Sequence, residues 1–174
     1  MSLIVYFVDY IGNIHEVSKG NLVAVLKKWG KFFRVTAKIR LAKNYPIEGT
    51  PNIVHFTRGG DKIPKLTLWN QKFTFASDGD INYLVQSEQL EGDKTYDLVI
   101  EQSMKEDGKI YHEIKVNDEV IHSVENTDAQ EYDNVYVYVG SPDNEPFTAE
   151  HGRLESLEWT RLQGFCYIFI KFEI

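Results

Sequence analysis

The residues able to do chemistry in this chain are scattered. Its histidines stand at positions 15, 55, 112, 122 and 151, with no pair at metal-ligand spacing. There is no His-Glu-x-x-His, no Gly-x-Ser-x-Gly and no glycine-rich phosphate loop. Cleaving a glycosidic bond takes two carboxyl groups reaching into one cleft at a set separation. The nearest patterns, Glu101 with Glu106-Asp107 and Glu155 with Glu158, have the wrong spacing, and Glu155 and Glu158 would face opposite sides of a strand. These readings argue against an enzyme. Cys166 lies between Phe165 and Tyr167 and reads as a small buried apolar residue.

Three patterns are candidates for binding. Tyr136 and Tyr138 alternate with Val135, Val137 and Val139, so both tyrosines lie on one side of a strand. That arrangement serves as a stacking platform for a sugar, or packs between two sheets. Arg34, Lys38 and Arg40 form a positive stripe, either a surface for sulfated glycans and acidic partners or an ordinary solvated sheet face. Asp78-Gly79-Asp80 and Asp128 put carboxylates in loops, where Asp-Gly-Asp also serves as a plain turn.

Strands must position these residues. Phe33 to Leu41 alternates apolar and polar residues, with Phe33, Val35, Ala37, Ile39 and Leu41 on one face. Asn52–Thr57, Ile63–Trp69, Phe73–Ser77 and Ile81–Val85 follow, punctuated by Gly59-Gly60, Asn70-Gln71 and Asp78-Gly79-Asp80. The stretch from Lys94 to Tyr138 reads as a meander, with turns at Asp107-Gly108 and Asn117-Asp118. Gly152–Trp159 closes the pattern; Asn21 could cap a helix, but β-branched Val23 and Val25 favour a strand over Asn21–Trp29, ended by Gly30. Two further apolar strands are expected at the ends, over 3–10 and 165–172. Ten to thirteen short strands without a long helix mean an all-β chain, and no repeat or linker divides residues 1–174 into more than one domain.

Composition limits the partners. A net charge of −7 disfavours the phosphate backbone of nucleic acids, whose binding needs clustered Lys and Arg. No apolar run reaches the roughly 18 residues of a membrane span. Met1–Val8 lacks a basic flank and is followed by Asp9, so it reads as a strand and not as a signal segment. A single cysteine excludes an internal disulfide. Apolar terminal strands invite edge-to-edge pairing, so a homodimer through edge strands is expected.

The strand order resembles the concanavalin A-like jelly roll, an antiparallel sandwich of two sheets, in its laminin-G-like and galectin-like forms. The likeness covers residues 30–160. It is carried by Ile53-Val54-His55-Phe56-Thr57-Arg58-Gly59-Gly60 before Ile63-Pro64, by Tyr96–Gln102 before Ile114–Val120, and by Asn134–Tyr138 before the closing strand. His55-Phe56-Thr57-Arg58 is similar to the galectin strand that offers His and Arg to a galactoside, with Trp69 as the stacking ring. Thr57 stands where galectins have Asn, and Asn70-Gln71-Lys72 follows Trp69 where they have Glu shortly afterwards. The resemblance implies a non-catalytic, extracellular or secreted lectin-like domain. Its ligand would be a glycan or glycoprotein, bound through His55, Arg58, Trp69, Tyr136 and Tyr138 on a concave sheet and rim loops. A laminin-G-like adhesion module is the alternative, with Ca²⁺ held at a loop rim by Asp78 and Asp80.

Overall fold

The computed structural model describes residues 21–46, 48–79, 81–140, 147–163 and 166–173. The expected strand over 3–10 and residue Asp80 lie outside the described residues. Every described element is a strand. In chain order they are β1 (Asn21–Trp29), β2 (Phe33–Leu41), β3 (Asn52–Thr57), β4 (Lys65–Trp69), β5 (Lys72–Asp78) and β6 (Asn82–Gln86). Then come β7 (Thr95–Met104), β8 (Ile110–Val116), β9 (Glu119–Glu125), β10 (Tyr132–Val139), β11 (Gly152–Gln163) and β12 (Cys166–Glu173). They form two six-stranded sheets, ordered β1-β10-β3-β4-β5-β6 and β12-β11-β2-β7-β8-β9, and all their pairings are antiparallel.

The period-two patterning sets which faces meet. From the first sheet Val135, Val137, Val139, Val54, Phe56, Leu66, Leu68, Phe73 and Phe75 are buried; from the second, Val35, Ala37, Ile39, Leu98, Ile100, Ile114 and Leu157. Burying an aliphatic or Phe side chain contributes about 1.5–3 kcal/mol, so these facing rows hold the sheets together. Trp29 stacks on Trp159 at 5.9 Å and meets Phe33 at 4.5 Å and Phe56 at 5.2 Å. The interior void among Val35, Phe56, Leu66 and Leu98 is about 10 Å³. It is apolar and too small for a ligand.

The turns follow from backbone chemistry. Asn117 and Asp118 both have positive φ (49° and 65°), as the two central residues of a type I′ hairpin require. Asn70 and Gln71 do the same between β4 and β5 (49° and 60°). Glutamine has a Cβ that resists this region, and glycine does not. Gln71→Gly is expected to raise stability by about 0.5–1 kcal/mol, read as a higher denaturant midpoint at unchanged slope. The gain is partly offset by loss of the hydrogen bond that Gln89 Nε2 donates to Gln71 Oε1.

Candidate functional site

Strand register decides which side chains share the outer face of the first sheet. Tyr136 stands opposite Thr57, and Tyr138 opposite His55. His55 continues the second row to Lys65, Ala76 and Leu84. The next row is Asn52, Thr67, Thr74 and Gln86, and Trp69 with Lys72 ends the face. These residues alternate with buried Val54, Phe56, Leu66, Leu68, Phe73, Phe75, Val135, Val137 and Val139, so they point away from the core. The three rings proposed from sequence, Tyr136, Tyr138 and Trp69, therefore lie on one face with His55. Tyr136 is 38% exposed and Trp69 41% exposed, whereas Trp29 and Trp159 are buried. Trp69 is thus a surface ring and not a core one.

His55 is 7% exposed and lies low between Tyr138 and Lys65. Thr57 accepts backbone hydrogen bonds from Gly59 (3.3 Å) and Gly60 (3.0 Å), which fixes the loop that follows. Asn52 is fully buried, and neither its Oδ1 nor its Nδ2 has a hydrogen-bond partner. Such a group costs roughly 1–3 kcal/mol, a cost that a bound water or a ligand group would offset. Plain alternation along β3 would put Asn52 with Val54 and Phe56 on the core side. The register shifts between Asn52 and Val54, returning Asn52 to the outer face.

Arg58 does not join these residues. Its guanidinium lies 4.5 Å from the centre of the Tyr132 ring, and its Nε donates to Asp61 at 3.1 Å. It braces the rim loop at the end of the sandwich. Asp78 accepts a hydrogen bond from the Lys62 backbone N–H and pairs with the Lys62 ammonium at 3.1 Å. Burial pushes the Asp78 carboxyl up, but these Lys62 contacts outweigh it and hold the group below its usual range.

The outer face of the second sheet is different. Its basic stripe is outward, as the alternation implies, and each cation has its own acid on or beside β7. Arg34 Nε donates to Glu101 at 2.6 Å, Lys38 lies 3.4 Å from Asp97, and Arg40 lies 2.9 Å from Asp93. The stripe is therefore neutralised where it stands, and offers an acidic ligand little. The β7–β8 register also sets Glu101 directly opposite Glu113, a carboxylate pair that spacing within one strand cannot reveal. The hydrogen bond from Lys105 holds Glu113 below the usual carboxylate range against the opposing effect of burial.

No protein-family model matches the chain, and no curated protein does. Solved structures match it. A heptameric SAP-like pentraxin from Limulus polyphemus is similar at TM-score 0.54 and 12% identity, covering 83% of this chain and 73% of that one. Mouse laminin alpha1 chain domains are similar at TM-score 0.52 and 15% identity, covering 85% of this chain and 40% of that fragment. Sheep galectin-11, in complex with glycerol, matches at TM-score 0.46 and 13% identity, covering 82% of this chain and 99% of that one. At these identities the likeness is one of fold.

The expectation that the chain is not an enzyme is corrected. Its matches also include an alginate lyase from Corynebacterium sp., an endo-beta-1,4-glucuronan lyase from Trichoderma reesei and a Trypanosoma rangeli sialidase. This chain spans 19% of the sialidase. These matches reach only 9%, 13% and 18% identity, so they assign no activity. Spacing within one strand does not register the cross-strand pair Glu101–Glu113.

Proposed function

We propose that this chain, a concanavalin A-like jelly roll, is a lectin-like module that recognises carbohydrate on the outer face of its first sheet. The observation that carries the reading is the shared face of Tyr136, Tyr138, Trp69 and His55. Rings stack on the apolar face of a sugar while nearby hydroxyl, amide and imidazole groups bond its hydroxyls. Around the rings stand Thr67, Gln86, Lys65 and Lys72, with Asn52 buried beneath them, a polar set with two ammonium groups and no carboxylate. The second sheet offers charge pairs instead. A glycan or glycoprotein outside the cell fits this chemistry.

Glycan-array binding of the intact chain tests the reading, with Tyr138→Ala on the proposed face and Thr36→Ala on the opposite sheet. Loss of a stacking ring is worth about tenfold in affinity. Tyr138→Ala should lower binding by that factor or more, and Thr36→Ala should leave it unchanged. Absence of binding to any glycan, or equal binding by Tyr138→Ala and the parent, would sink the proposal.

A further inference from the structure

Tyr136 and Trp69 share a face but not a place on it. From the Tyr136–Thr57 row to the His55–Lys65 row is two residues, and from Lys65 to Trp69 is four more. At a strand rise of about 3.3 Å this is about 20 Å along the strands. The rings also stand two strands apart, on β10 and β4, which adds about 10 Å across. One sugar ring cannot touch both. Between them runs a diagonal of half-buried side chains, Tyr138, Lys65 and Thr67, with His55 as its floor.

From this geometry we infer that the ligand is a linear oligosaccharide of four or more rings, laid diagonally across β10, β3 and β4 with a ring stacked on each of Tyr136 and Trp69. This rests on the carbohydrate reading above and names the class of glycan. The two aromatics act as separate subsites joined by the chain of the ligand, so the second contact is made at high effective concentration. Affinity then grows with chain length until both subsites are filled, and no further. Between the subsites lie Thr67 and Lys65, on the same face of β4 as Trp69.

The test is a length series. Ladders of one to six rings prepared from cellulose, xylan, laminarin and alginate are titrated against the intact chain, Trp69→Ala, Tyr136→Ala and the double variant. At least one ladder should show affinity rising a hundredfold or more between two rings and six. Each single variant should lose about tenfold or more on the six-ring ligand. On the two-ring ligand, one single variant should match the parent, because a short ligand occupies one subsite. Both side chains are surface-exposed, so melting temperatures should not change, which separates loss of binding from loss of fold. Equal affinity for two and six rings would overturn the inference, as would six-ring binding that is insensitive to either variant. Failure of every ladder also overturns it. The carbohydrate reading would still stand in that case if the array showed a short or branched glycan bound through Tyr138.

Discussion

His112→Leu is expected to flatten the acid limb of the stability profile. His112 is buried on β8 against Phe33 at 6.2 Å, Tyr83 at 4.8 Å and His122 at 6.1 Å. Burial, with a smaller contribution from His122, pushes its pKa down to about 3. Burial lowers His122 as well. In the unfolded chain the imidazole returns to about 6.5. Between these values the unfolded state binds the extra proton, so stability rises with pH across the window. The stabilising effect of neutral His112 is therefore fully present above about pH 6.5 and is lost progressively as the pH falls toward 3. At about 1.4 kcal/mol per pKa unit the full loss is on the order of 5 kcal/mol. Carboxylates held low, such as Glu113 and Asp78, add their own acid loss, and the variant retains it. The informative quantity is thus the difference between parent and variant. His112→Leu should gain on the parent steadily from pH 6.5 to 4 in urea unfolding. Parallel profiles would show that the buried ring is not the source.

Gly152→Ala is expected to cost roughly 3–4 kcal/mol. Gly152 opens β11 opposite Leu41, at φ 146°. A Cβ there would lie 2.1 Å from the Arg40 carbonyl oxygen and 2.9 Å from the Leu41 Cα. Both contacts are backbone, so no side chain can rotate away. The position needs glycine for space and for dihedral freedom together. Gly108 supplies the comparison. It has φ 77° with nothing within 4 Å, so Gly108→Ala carries only the dihedral cost of roughly 1–2 kcal/mol. Denaturant midpoints for the two variants should differ accordingly. Equal losses would mean that close approach to β2 is not what Gly152 provides.

The fold was legible because its signals are local. Alternation from Phe33 to Leu41, the turns at Asp107-Gly108 and Asn117-Asp118, and the tyrosine–valine alternation of β10 each declare a strand or a turn by themselves. The site was only half legible. Local alternation puts Tyr136 and Tyr138 on one side, but nothing local says that His55 pairs with Tyr138 across 83 residues, or that Trp69 joins them. Those facts live in register between distant strands. Register also returned Asn52 to the face through a bulge and set Glu101 against Glu113. Arg58 illustrates the converse. Its spacing from His55 suggested a shared ligand, while a cation–π contact with Tyr132, far along the chain, takes the guanidinium to the rim.

The ligand is expected on the outer face of the first sheet. Amide-resolved NMR, with the tightest-binding glycan titrated into the labelled chain, addresses it directly. Saturable shifts are expected at Tyr136, Tyr138, His55, Thr67 and Trp69, with Thr36, Val99 and Glu113 of the second sheet unmoved. Shifts confined to the second sheet, or to the rim around Asp61 and Asp78, would contradict it.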